Sequence, residues 1–150
     1  MNPLDTPLGF STNFLFVPGT RPERFLKALD SGASGVVLDL EDAVAEDDKE
    51  SARNAIRTAW SSFTAEQKKR LVIRTNSPGS KFYSADLILA QELDVACLLI
   101  PKSESLDQIN GAALILPNTA IIPMIETAIG LDHLKEIANS NQVIRLALGN

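Results

Sequence analysis

Six short apolar runs recur along the chain, at residues 13–17, 35–40, 71–73, 95–100, 119–125 and 143–148. Each closes on polar, proline or glycine residues. The runs are continuous rather than alternating, the pattern of strands buried on both faces in a parallel sheet. Segments of helical character separate them, at 23–31, 48–61, 82–92, from Ser103 or Ser105 through 109, and at 127–138. Pro22 suits a first helical turn, and Gly32 suits a helix end. Residues 1–12 are polar and proline-dotted and predict a loose lead-in. Strict β–α alternation selects an α/β fold.

Two α/β architectures fit, an open doubly wound sheet and a (β/α)8 barrel. The polar residues separate them. Asp39-Leu40-Glu41-Asp42, Arg74-Thr75-Asn76, Lys102 and Glu126 all stand at or just past the C-terminal ends of successive strands. A site supplied by many strand ends marks a barrel, whereas an open sheet gathers its site at one switch point. No GxGxxG follows the first strand, which weakens a dinucleotide reading further. The pattern predicts a TIM barrel present as about its first six βα units. The sixth strand runs into Gly149-Asn150 with no helix after it, so residues 1–150 are expected to be an incomplete barrel domain.

Composition narrows the function classes. The 150 residues are 45% hydrophobic and 22% charged with a net charge of −5, the balance of a globular domain with no basic face for nucleic acid. No apolar run approaches the ~18 residues of a membrane span. No signal-peptide layout opens the chain, so a cytoplasmic setting is expected. The single cysteine, Cys97, lies inside an apolar run and is expected to be a buried structural thiol.

Several residues carry candidate chemistry. Glu126 follows an apolar strand and points at the mouth of the sheet, where it can ligate a cation or stabilise the next helix N-terminus. Arg74 ends the third strand. Its guanidinium can clasp a carboxylate and polarise a carbonyl, or pair internally with Glu41, Asp42 or Glu126. Asp39, Glu41 and Asp42 crowd one loop, and such crowding needs a metal, Arg74 or Lys102 among them. Arg21 and Arg24 follow the turn at Gly19 into a helix, a weak anion-site signal. His133, the one histidine, reads as a surface or hydrogen-bonded core residue, so no Ser–His–Asp or Cys–His arrangement can be assembled.

Five segments together resemble the citrate lyase β-subunit-like family of the HpcH/HpaI aldolase superfamily. They are Phe14-Leu15-Phe16-Val17-Pro18-Gly19, Val37-Leu38-Asp39-Leu40-Glu41-Asp42-Ala43-Val44, Val72-Ile73-Arg74-Thr75-Asn76, Leu99-Ile100-Pro101-Lys102 and Met124-Ile125-Glu126-Thr127-Ala128. The resemblance implies a TIM barrel, Mg2+, and cleavage or formation of a carbon–carbon bond on an acyl-CoA or acyl-carrier thioester, with a 2-oxo acid as the other partner. It implies that Arg74 binds substrate and stabilises an enolate oxygen. Glu126 would be a metal ligand, and Asp39, Glu41, Asp42 and Lys102 would line the site. Arg21 and Arg24 would then serve a nucleotide phosphate. The family's second metal carboxylate lies a few residues past the glycine matched by Gly149, beyond this sequence. Two other expectations stay open: a class II aldolase on free 2-oxo acids, and a non-catalytic barrel fragment that assembles with other chains. Exposed edges on an unclosed barrel favour self-association, and a homo-oligomer is expected.

Overall fold

The six predicted strands form one parallel sheet whose spatial order is the chain order. In the computed structural model, which describes residues 6–149, these are β1 (Phe14–Pro18), β2 (Gly35–Asp39), β3 (Leu71–Arg74), β4 (Cys97–Ile100), β5 (Ala120–Ile125) and β6 (Ala147–Leu148). Each is parallel to its neighbour, with Val36 opposite Leu71, Ile73 opposite Leu98 and Leu98 opposite Ile121. The sheet curls into part of a TIM barrel, as predicted.

Alternation along the strands splits the core in two. Val36, Leu38, Leu71, Ile73, Leu98, Ile100, Ile121 and Ile125 face outward into a layer that Phe25, Ile56, Leu89 and Ile109 of the helical side complete. Val37, Val72, Cys97, Leu99, Ala120 and Ile122 face inward and pack on one another and on Leu8. Both faces are therefore apolar along most of the sheet, which is why the strands read as continuous runs. The inward row turns polar only at the C-terminal strand ends, where Asp39 and Arg74 follow Val37 and Val72 by two residues.

The outer layer holds α1 (Phe25–Leu29), α2 (Lys49–Trp60), α3 (Ala65–Lys68), α4 (Tyr83–Glu92), α5 (Leu106–Ile115), α6 (Ala128–Asp132) and α7 (Leu134–Ala138). Several bounds differ from the sequence expectations. The first helix is shorter, because Pro22–Arg24 adopts a 3-10 turn before α1. The helix after β4 runs past residue 109 to Ile115, launched by Ser105, whose hydroxyl accepts the Gln108 amide in a capping box. The predicted 127–138 helix is broken at His133, which leaves helical geometry. Its Nδ1 lies 2.7 Å from the Glu104 carbonyl, so the histidine is half-buried and hydrogen-bonded, as expected. The sixth strand pairs only over Ala147–Leu148, with one further bridge from Val143 to Ile121.

The lead-in is a second correction. Residues 1–5 lie outside the described residues, but Pro7–Phe10 forms a 3-10 turn capped by Thr6, and Leu8 is fully buried against the inner layer. Arg145 of the β5–β6 side donates to the Ser11 carbonyl and stacks over Phe14, 5.3 Å from its ring centre. This segment stoppers the N-terminal end of the curled sheet. Cys97 is buried in the same inner layer, and burial pushes its thiol well above the ordinary range. None of the described helices is long and apolar enough to cross a membrane.

Candidate active site at the strand mouths

Asp39, at the end of β2, is the fixed point of the site. It is fully buried, and its two oxygens take four N–H groups. Oδ1 accepts the Glu41 amide at 2.9 Å and Arg74 Nε at 2.7 Å. Oδ2 accepts the Ala43 amide at 3.1 Å and Arg74 NH2 at 2.6 Å. The carboxylate thus folds its own loop and clamps the β3 guanidinium in a planar fork. Gly19, past β1, lets the neighbouring chain close in: its amide donates to the Asp39 carbonyl at 2.8 Å, and a Cβ there would sit 2.9 Å from that oxygen.

Arg74 is 8% exposed and lies over the Phe16 ring, 5.1 Å from its centre. Burial works against its charge, and the bonds to Asp39 with the charges of Glu41 and Asp42 outweigh it, so its pKa lies above the ordinary value. NH1 lies 3.0 Å from Glu41 Oε2, yet that oxygen is buried without a well-aligned hydrogen bond. Glu41 Oε1 accepts Lys102 Nζ at 2.9 Å. Burial pushes the Glu41 carboxyl up, against the pull of Lys102 and Arg74. Arg74 and Lys102 relieve the crowding of this acidic loop.

Lys102 links two strand ends. Its φ of +48° is rare for a residue with a side chain. That conformation accompanies a split role: the ammonium reaches Glu41, while the backbone amide donates to Glu126 Oε2 at 2.8 Å. Asp39, Arg74, Glu41, Lys102 and Glu126 therefore form one connected chain across β2, β3, β4 and β5. Asp42 is exposed at its rim. Arg21 and Arg24, past β1, are exposed and bound to Glu23, at 2.7 Å and 3.9 Å, rather than to this cluster.

Among the described residues, no three His, Cys, Asp or Glu side chains gather into a metal cluster. Glu126 nevertheless suits a hard cation. One oxygen is anchored by the Lys102 amide, and the other has no hydrogen bond among the described residues. Gly149 packs directly on this carboxylate, since a Cβ there would fall 2.8 Å from Glu126 Oε1. Mg2+ is held by one or two carboxylates with substrate and water completing its shell, and Glu126 fits as one of them.

Two supports were not foreseen. Lys49 is buried and donates to the carbonyls of Leu40 and Glu41. Asp86 is buried and accepts Arg53, the Asn76 amide and the Asn76 side chain. The signals were a lysine at a helix start, against the dipole, and an acid inside an apolar helical run.

Known proteins resemble the chain along nearly its whole length. A citrate lyase subunit β-like protein of Mycobacterium tuberculosis (strain H37Rv) is 36% identical over 136 residues, covering 91% of this chain and 46% of that protein. A (3S)-malyl-CoA thioesterase of Cereibacter sphaeroides is 31% identical, covering 90% and 47%. The chain spans about half the length of these curated relatives. The solved citrate lyase β subunit of M. tuberculosis, complexed with oxaloacetate and magnesium, superposes with a TM-score of 0.82 at 34% identity, covering 99% of this chain and 60% of that one. The family model for HpcH/HpaI aldolase/citrate lyase matches residues 13–150, and the chain belongs to that family.

Proposed function

We propose that the chain carries most of the active site of a magnesium-dependent carbon–carbon lyase. It would cleave or form a 3-hydroxyacyl thioester of the citryl- or malyl-CoA type, giving a 2-oxo acid and an acyl thioester. The observation that carries this reading is the clamped Arg74, tied through Glu41 and Lys102 to Glu126 at one end of the sheet. The relative complexed with oxaloacetate and magnesium, and the relative named for malyl-CoA, support the substrate class.

Glu126 would hold Mg2+, which supplies positive charge for the carboxylate and oxo oxygens of the 2-oxo acid. Arg74, oriented by Asp39, offers its remaining N–H groups to the thioester oxygen, where charge collects as the carbon–carbon bond breaks. The electron pair of that bond moves into the thioester as an enolate, whose carbon would then take up a proton, from protonated Glu41 or from water, to give the acyl thioester. Glu41 Oε2, 3.0 Å from Arg74 NH1 without a well-aligned hydrogen bond, would accept the hydroxyl proton. Lys102 holds Glu41 and Glu126 in register. Arg21 and Arg24 would meet the phosphates of the carrier on the rim. Residues 1–150 would act within a closed barrel, in a cytoplasmic homo-oligomer.

The test is incubation of the protein, its barrel closed, with Mg2+ and malyl-CoA, following 2-oxo acid and free thiol separately. Release of glyoxylate with acetyl-CoA left intact is expected. Free thiol without 2-oxo acid would replace cleavage by thioester hydrolysis. Cleavage of free 4-hydroxy-2-oxo acids but of no thioester would move the chain to the class II aldolases.

A further inference from the structure

Lys49 is expensively placed. It is the first residue of α2, where the helix dipole disfavours a cation. It is 7% exposed, and an ammonium loses hydration on burial. Its Nζ donates to two backbone oxygens, Leu40 O and Glu41 O, each at 2.6 Å. Asp39, Asp86, Glu41 and Asp42 surround it and favour its charge, although burial draws its pKa below the ordinary value.

The two carbonyls belong to the loop that carries Glu41. The opposite edge of that loop is already fixed, since Asp39 takes the amides of Glu41 and Ala43. Asp39 therefore holds the donors of the loop and Lys49 its acceptors. One turn along α2, Arg53 bonds Asp86 at 3.0 Å, and Asp86 holds Asn76 two residues past Arg74. One helix thus secures both loops that flank the Arg74–Glu41 contact.

We infer that Lys49 is a positioning residue, whose ammonium fixes the Leu40–Glu41 backbone and so sets Glu41 against Arg74 and Lys102. It touches no reacting group. The inference rests on the proposed lyase reading only for its kinetic arm, and on the geometry alone for its structural arm.

The experiment compares the wild-type protein, its barrel closed, with Lys49→Met and Lys49→Arg. Amide exchange by NMR reads the Glu41 and Ala43 amides against those of β3 and β4. Steady-state kinetics with malyl-CoA and Mg2+ reads kcat apart from KM. Lys49→Met is expected to speed exchange at the two loop amides about 10-fold or more, with β3 and β4 unchanged. Its kcat should fall about 100-fold with KM little changed, the scale of a small misplacement at the chemistry. Lys49→Arg, which keeps the charge and two donors, should recover most of both losses. Unchanged loop exchange in Lys49→Met, or an equal rise throughout the sheet, overturns the inference. So does an unaltered kcat in an active protein. A wild-type protein with its barrel closed that is inactive on every thioester defeats the lyase reading alone, and the exchange arm then decides for Lys49. If Lys49→Met does not fold, Lys49→Gln, with one donor on a shorter stem, is judged by the same criteria.

Discussion

At the scale of single residues, the site depends on paired geometry more than on charge count. Arg74→Lys keeps the charge but loses the fork, so lysine can meet only one Asp39 oxygen at a time. A loss of about 10²–10³ in kcat is expected from steady-state kinetics, the scale of one misplaced oxyanion donor. Glu126→Gln removes charge with little change of volume and should abolish Mg2+ binding by calorimetry while leaving the thermal midpoint near wild type. Gly149→Ala should act on the same carboxylate without touching its chemistry. The added methyl would meet Glu126 Cγ and Oε1 at 2.8 Å, so Mg2+ affinity should fall. Glu41 adds a pH signature. Burial raises its folded-state pKa above the ordinary 4.5, so the folded chain binds more protons than the unfolded one. Its contribution to stability is greatest below that value and is lost as pH rises toward the raised one. Urea unfolding from about pH 4 to about pH 7 should show this loss, and Glu41→Gln should reduce it.

At the scale of elements, strand identity was legible and helix detail was not. Continuous apolar runs announce strands buried on both faces, and all six appear in the sheet. The helices answer to local chemistry that apolar periodicity does not carry. Thr64 and Gln67 form a capping box that starts the four-residue α3, too short to leave a periodic trace. His133 ends α6 through a bond to Glu104, a residue 29 positions away. Leu8 was unreadable for a similar reason, because scattered apolar residues among prolines and glycine have no periodicity, yet it fills the inner layer. Leu8→Ala should cost about 2–5 kcal/mol in chemical denaturation, as for other fully buried leucines. Ser105→Ala should cost about 1 kcal/mol by removing the cap of α5. The candidate site was legible as a set of residue types at strand ends. Which acid met which base was not. Arg74 had Glu41, Asp42 and Glu126 as possible partners in sequence; the structure pairs it with Asp39, outside that set, and with Glu41, whose loop the backbone turns inward. Lys102 was readable as a site residue, but not as the carrier of a backbone donor to Glu126, which depends on its positive φ.

At the scale of the whole molecule, the two outer strands differ from the four between them. Leu15 and Phe16 on β1 are 40% and 41% exposed, and Leu148 on β6 is 73% exposed, whereas β2, β3 and β4 are buried throughout. Beside β1, Leu15, Phe16, Val17, Arg24, Lys27 and Ala28 line an apolar cleft of about 390 Å³. Unpaired strand edges of this kind invite pairing with another chain. Sedimentation of residues 1–150 is expected to show self-association that weakens when Leu15 and Phe16 are replaced by lysine and threonine. A monomer at all concentrations would count against it. The agreement of spatial with chain order has a further consequence, for how the sheet forms and comes apart. Among the described residues each of β1 to β5 pairs with the strand of the next βα unit, so none of these pairings waits for a distant segment, and the entropy of closing each loop stays modest. Assembly can begin at β2–β3–β4 and spread outward a unit at a time. Loss of order should run the opposite way, with β1 and β6 exchanging their amides first and the Asp39–Arg74 clasp among the last contacts to open.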